Sequence, residues 1–313
     1  VQQKIRIGTR GSQLALAQTA EVKSRLCAAH SHLHPDDIEI VVMSTQGDRI
    51  LDRPLAEIGG KGLFTEEIED ALRAGSIDLA VHSLKDMPTQ LPPGLELACM
   101  LPREDARDAF ICNHAASLSA LPPGAVIGTA SLRRQAQTLQ TRPDLKVVTF
   151  RGNIQSRLRK LEEGVVDATF LAMAGLNRLG VKGHNIHPMG EDIMLPAVAQ
   201  GAITIEIATD REDIRALLRP LNDEKTAVCV TAERALLATL DGSCRTPIAA
   251  YATLQADQTL SMTGRVLSPD GRQVYNITRR APAAMAERLG HEMGNHLKEQ
   301  AGDAFFAALH AGQ

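Results

Sequence analysis

Short apolar runs alternate with segments of helical period through the first two thirds of the chain. KIRIGT (4–9) predicts a strand. A helix follows from Ser12, its N-cap candidate, to about Ala29, with Leu14, Ala17 and Val22 on or near one face. IEIVVM (38–43) predicts a second strand. In FTEEIEDALRAG (64–75), Phe64, Ile68 and Leu72 recur every four residues, and Gly75 supplies the stop. IDLAVH (77–82) and LELACM (95–100) predict further strands. This β-α-β-α-β order predicts a mostly parallel sheet with helices on its faces.

A second unit of the same kind begins after the polar stretch PREDARD (102–108). DAFIC, AVIGT, LKVVTF and VDATFLAM predict its strands. SLRRQAQTLQ predicts a helix, as does NIQSRLRKLEEG with its stripe of Ile154, Leu158 and Leu161. After MLPAVAQG, the strand AITIEIA and the helix REDIRALLRPL return to the first unit. From Asn222 the pattern changes to a helix over 224–240, three strands (IAAYATL, LSMTGRVL, RQVYNIT) with SPDG as the last hairpin turn, and a final helix over roughly 282–299. The expected division is a first α/β lobe of residues 1–101 and 201–219, a second of 102–200, and an α+β domain of 220–313.

One short echo links the lobes: IGTRGS (7–12) and IGTASLRR (127–134) each run a strand through Ile-Gly-Thr to a serine near a helix start. Free N–H groups and the helix dipole at such turns attract anions. If both turns serve one cleft, its ligand is an anion.

Composition narrows the partners. Hydrophobic residues make up 44% of the 313, but aromatics only 3%, with no Trp, so the core must be filled by aliphatic side chains. A formal net charge of −3 disfavours a globally basic nucleic-acid binder, and the scarcity of aromatics removes the stacking surface that single strands need. No apolar run is long enough to span a membrane. The five cysteines form an odd set without a C-x-x-C pair, which is neither a disulfide framework nor a zinc pattern and suits a reducing compartment. HSHLH (30–34) reads as a polar loop, and no metal site is expected.

Three clusters could carry chemistry. Cys244, in DGSCRTPI, is lifted onto a turn by Gly242 and Ser243, and Arg245 beside it favours the thiolate. Cys99 and Cys112 fall in strand patterns and are expected in the core. AVHSLKDMP (80–88) delivers Ser83, Lys85 and Asp86 at the C-terminal end of a strand, where ligands of open α/β sheets bind. Arg10, Arg133, Arg134, Arg151, Arg157 and Arg178 gather at strand ends and helix starts, where guanidinium groups recognise carboxylates or phosphates in bidentate fashion. They point to a small polyanion. IGGKGLF (58–64) lacks the spacing of a phosphate loop and reads as a segment able to move over a cleft.

In order along the chain, RIGTRGSQLALAQ, GGKGLFTEEIE, DLAVHSLKDMP, REDARDAFI, GTASLRRQAQ, FRGNIQSRL, LAMAGLNRLG, LPAVAQGAITIE and DGSCRTPIAAYA resemble the porphobilinogen deaminase (hydroxymethylbilane synthase) family. The resemblance runs from about residue 5 to the last helix without a large insertion. It implies two periplasmic-binding-protein-like lobes with mixed, mostly parallel sheets, crossed by two chain passages, and a small α+β C-terminal domain bearing the cysteine loop. It implies a transferase of tetrapyrrole, haem and chlorophyll biosynthesis whose substrate is porphobilinogen. It implies a dipyrromethane cofactor held by a thioether, for which Cys244 is the matching position. Porphobilinogen units are added one at a time with loss of ammonia, and hydrolysis releases the linear tetrapyrrole.

Residue by residue, Asp86 matches the catalytic aspartate. Arg10, Ser83, Lys85, Arg133, Arg134, Arg151, Arg157 and Gln200 match cofactor- or substrate-contacting positions. Thr129 and Ser131 match hydroxyl contacts, and Lys61 lies in the matching mobile segment. Ser12 and Arg178 join the binding set from the turn and charge arguments above. Ala130 and Ala199 depart from the common serine and glycine, which bears on fine contacts and loop flexibility. The variants GTASLRR, PAVAQGAI and DGSCRTPIA look like plant-type plastid members, so plastid stroma or bacterial cytoplasm is expected, for a monomer without nucleic-acid or membrane partners. The alternative from another class is a non-catalytic two-lobe binding protein for a small polyanion, which the same fold would serve.

Overall fold

The computed structural model describes residues 4–49, 65–240 and 246–311. The first sheet begins with β1 (Ile5–Arg10), β2 (Ile38–Met43), β3 (Leu79–Ser83) and β4 (Leu95–Met100). The chain then passes to a second sheet of β5 (Asp108–Cys112), β6 (Val126–Gly128), β7 (Lys146–Val148), β8 (Ala168–Ala172) and β9 (Ile186–Pro188). It returns to the first with β10 (Ile203–Ala208). A third, antiparallel sheet follows, of β11 (Ile248–Leu254), β12 (Thr259–Leu267) and β13 (Val274–Pro282).

The helices in chain order are α1 (Gln13–Ala29), α2 (Gln46–Arg49), α3 (Glu66–Arg73), α4 (Leu132–Thr141), α5 (Ile154–Glu162), α6 (Met173–Arg178), α7 (Glu212–Leu218), α8 (Glu224–Thr239), α9 (Ala286–Ala301) and α10 (Asp303–Ala311). By contacts the chain forms two compact units. One holds the described residues up to Glu104 with Gly201–Ala227, and the other holds Asp105–Gln200 with everything from Val228.

The first two sheets share one plan. Their orders are β2-β1-β3-β10-β4 and β7-β6-β8-β5-β9. In each, the echoed Ile-Gly-Thr strand, β1 or β6, pairs parallel with both neighbours. In each, one strand runs against the rest: β10 is antiparallel to β3 and β4, and β5 to β8 and β9. That strand is the first one laid down after the chain arrives from the other sheet. The sheets are therefore mixed and mostly parallel, as expected, with the reversal at each passage.

Both echoed turns fold alike. Ile7 and Ile127 are fully buried, and Ser12 and Ser131 cap α1 and α4, accepting bonds from Ala15 N at 3.2 Å and Arg134 N at 3.4 Å. In the first unit, Ile7, Val22, Leu26, Leu79 and Ile205 share one apolar cluster. In the second, Phe110 and Cys112 of β5 point into one cluster, while Ala109 and Ile111 point into another. A strand buried on both faces reads as a continuous apolar run, as DAFIC does. Each fully buried aliphatic or Phe side chain stabilises the fold by about 1.5–3 kcal/mol. Cys99 and Cys112 lie in these cores, as the strand patterns indicated.

Candidate functional site

In the first unit β1 delivers Arg10 to the head of α1, and β3 delivers Ser83 to a tight 3-10 turn, Leu84–Asp86. Leu84 anchors that turn: it is fully buried, its N–H bonds Ala202 O at 3.0 Å, and Met87 N–H closes on Leu84 O at 3.1 Å. Lys85 and Asp86 are thereby left exposed at the strand end. A pocket of about 80 Å³ opens there, lined among others by Arg10, Ser12, Gln18, His82, Ser83 and Asp86. Four residues singled out from the sequence thus meet in one place.

Behind the pocket lie groups the sequence reading passed over. The Gln18 amide donates to the Ser83 hydroxyl at 2.9 Å, and His82 Nε2 lies 3.0 Å from a carboxylate oxygen of the fully buried Glu206. Burial pushes the nearby Glu69 carboxyl up, and the Glu206 charge adds to this, against lowering by Thr65, His82 and Arg73. Gln18 and Ser83, like His82 and Glu206, lie far apart in sequence, so no spacing betrays either pair.

In the second unit the turn after β6 carries Thr129 and Ser131, with Thr129 Oγ1 accepting from Ser131 N at 3.1 Å. The next two residues but one, Arg133 and Arg134, both point inward and converge on Asp108, which is fully buried at the start of β5. Arg133 Nη1 reaches Asp108 at 2.7 Å and Leu195 O at 2.8 Å. Arg134 reaches Asp108 through Nε at 3.0 Å and Nη2 at 2.6 Å, and Phe170 O through Nη1 at 2.8 Å. Gln200 Nε2 donates hydrogen bonds to Asp108 Oδ1 at 3.1 Å and to Ala106 O at 2.8 Å.

Burial alone would raise the Asp108 carboxyl, but the two guanidinium charges outweigh it and hold it far below the usual carboxylate range. Asp108 is the residue the sequence reading missed: it closed a stretch read as polar linker. One carboxylate facing two arginines leaves net positive charge in place.

Arg157, on α5, adds to it. The helix is capped by Asn153, whose side chain accepts from Ser156 N at 2.9 Å. Among the described residues the buried Nε of Arg157 has no hydrogen-bond partner. Burial, with the charges of Arg134 and Arg151, pulls this guanidinium down to about 10. A desolvated cation lowered by the charges of its neighbours is suited to an anion. Arg151 is half-buried beyond β7, and Arg178 is half-buried in the last turn of α6.

Lys61 and Cys244, with Arg245, lie outside the described residues. In HSHLH, the His30 ring Nε2 lies 2.8 Å from Leu217 O and its ring packs edge-on to His32, the polar-loop arrangement.

Two α/β lobes with matching serine-capped turns, the second charged by buried arginines, define a two-lobe α/β protein equipped for a small anion. The chain belongs to the porphobilinogen deaminase family. The family model described as "Porphobilinogen deaminase, dipyromethane cofactor binding domain" matches residues 5–216, and that described as "Porphobilinogen deaminase, C-terminal domain" matches residues 227–299.

The chain is 56% identical over 305 residues to the porphobilinogen deaminase of Paracoccus denitrificans, covering 97% of each. It is 55% identical to the protein named porphobilinogen deaminase, chloroplastic, of Oryza sativa subsp. japonica, covering 97% of this chain and 86% of that one. Relatives of this chain thus include both bacterial and chloroplastic proteins. Among solved structures, the periplasmic aliphatic sulphonate binding protein SsuA from Escherichia coli overlays at a TM-score of 0.41 and 14% identity, over 76% of this chain and 71% of that one, too slight a likeness to bear on the assignment.

Proposed function

We infer that this chain is a hydroxymethylbilane synthase: it joins four porphobilinogen units head to tail with loss of ammonia, on a dipyrromethane attached to Cys244, and releases hydroxymethylbilane by hydrolysis. The family match over residues 5–216 and 227–299 sets aside a non-catalytic binding protein. The structural observation that carries the reading is Arg157, a desolvated guanidinium whose Nε has no partner among the described residues and whose charged neighbours are Arg134 and Arg151. Every pyrrole of substrate and cofactor brings an acetate and a propionate, so the residues present fit the group. Bound dipyrromethane supplies a free pyrrole α-position at which units are joined.

The chain's own residues do the rest. Arg133, Arg134, Arg151 and Arg157, with Arg178, Gln200, Thr129 and Ser131, receive carboxylates in the second unit. Arg10, Ser12, Ser83, Lys85 and the loop residue Lys61 do so in the first. Asp86, exposed at the end of β3 in the pocket, places negative charge where the substrate's methylene becomes cationic as the C–N bond breaks and ammonia takes the electron pair. As the new C–C bond forms, the Asp86 carboxylate accepts the ring proton and passes it to ammonia. The reading also places the protein in plastid stroma or bacterial cytoplasm, as a monomer without nucleic-acid or membrane partners, and divides it into the three domains expected from the sequence.

Asp86→Asn tests the catalytic role. Asn keeps the shape but neither the charge nor the basicity, so single-turnover product formation from porphobilinogen should fall by about 10²–10³. Turnover within a few-fold of the parent would make Asp86 a bystander.

A further inference from the structure

Within the second unit, one buried amide links the C-terminal sheet to the arginines. Gln137 lies on α4, one turn beyond Arg133, and is fully buried. It clasps the backbone of Leu195 at two points: Leu195 N donates to Gln137 Oε1 at 2.9 Å, and Gln137 Nε2 donates to Leu195 O at 3.1 Å. That same Leu195 carbonyl accepts Arg133 Nη1 at 2.8 Å. The second lone pair of Gln137 Oε1 is taken by Arg265 Nη1 at 2.8 Å.

Arg265 comes from β12 and is only 9% exposed. Its Nε donates to Asn276 Oδ1 at 2.7 Å and its Nη2 to Asp192 O at 3.3 Å. It stands opposite Ala249 in β11, the strand that follows the Cys244 segment, and Leu267 N of β12 bonds Pro247 O at 3.1 Å. The hairpin after β12 presses on α4 as well. Gly271, at φ 71°, sits against the backbone of Ala136, Leu139 and Gln140, where a Cβ would have no room, and Gln135 donates to Pro269 O at 3.2 Å.

Stability alone does not account for a buried arginine here, because an apolar side chain of similar volume is usually as good or better in such a place. What Arg265 provides is direction: it fixes the Gln137 amide, which fixes Leu195, which shares Arg133 with Asp108.

We propose that Gln137 and Arg265 are positioning residues for the carboxylates of cofactor and substrate, acting through Leu195 on Arg133 and so keeping the strand after Cys244 in register with the basic cluster. This rests on the function proposed above.

The test uses the full chain as apoprotein. Cofactor loading from porphobilinogen is read by intact mass, and elongation by initial rates. Arg265→Met keeps an unbranched apolar stem in place and removes the three hydrogen bonds of the guanidinium. Half-maximal loading should then need about tenfold more porphobilinogen, with KM raised about as much and kcat within about threefold. Arg265→Lys, which keeps the charge, should recover most of the loss. In an Arg133→Lys background the added effect of Arg265→Met should shrink to under about twofold, since the route through Arg133 is already impaired.

Unchanged half-maximal loading in Arg265→Met, or the same tenfold loss added in the Arg133→Lys background, would overturn the proposal. Should Arg265→Met not fold, Arg265→Gln is measured against the same two outcomes. A parent that never acquires an adduct removes the underlying function instead, whereas an adduct on the parent with unaltered variants removes this proposal alone.

Discussion

Replacing Arg157 with Gln should move stability and loading in opposite directions. Burial and the charges of Arg134 and Arg151 hold this guanidinium at about 10, well below its ordinary value. At about 1.36 kcal/mol per pH unit, its charge costs the apoprotein roughly 3 kcal/mol at neutral pH. Gln removes that cost but also gives up the packing of the arginine stem. A net gain of about 1–2 kcal/mol remains, a rise of a few degrees in Tm. Losing one partner of a desolvated charge pair costs about 2–5 kcal/mol of anion affinity, so loading should weaken by at least about thirtyfold.

The pH dependence has a definite sign. The folded apoprotein binds this proton more weakly than the unfolded chain does, so its contribution to stability improves as pH rises above about 10 toward the ordinary guanidinium range, while polyanion affinity falls through the same window. Calorimetry of parent and variant apoproteins, beside intact-mass loading curves, reads both effects. A lower Tm for the Arg157→Gln apoprotein, or loading equal to the parent, would refute the argument that this charge is kept for an absent anion.

Asp108→Asn should cost the second unit about 3–5 kcal/mol at neutral pH, because Arg133 and Arg134 would stay buried without their counter-charge; denaturant titration followed by circular dichroism measures it, and a loss under about 1 kcal/mol would contradict it. In the parent, Asp108 is lowered by its arginines, so the stability it contributes is complete above the ordinary carboxylate range near pH 4 and is lost as pH falls through the lower folded value. That acid limb should be absent from the Asn variant.

Much of the fold was legible because it rests on apolar periodicity: the strands around Ile7, Leu79 and Phe110 and the Ser12-capped helix lie where the pattern put them. The reversed strands β5 and β10 were not, since direction depends on where the chain arrives from and not on which residues are apolar. β9 spans only Ile186–Pro188, too short for a period to register. The last helical region continues past Gly302, at φ 77°, into α10. A glycine there resembles a stop, and the pattern gave no reason to restart.

At the site, the gathering of arginines could be read from residue type and position. Their buried partner Asp108, the Gln18–Ser83 pair and the Gln137–Arg265 link could not, because each joins residues far apart in sequence that only folding brings together.

The central claim is that Cys244 holds a dipyrromethane made from the enzyme's own substrate. The intact mass of the purified parent and of Cys244→Ser, each incubated with porphobilinogen, tests it most directly. A thiolate beside Arg245 can form the thioether, whereas a serine hydroxyl is too weak a nucleophile. The account predicts one added dipyrromethane on the parent and the bare polypeptide mass for the variant. The same adduct on both proteins, or none on the parent, would contradict it.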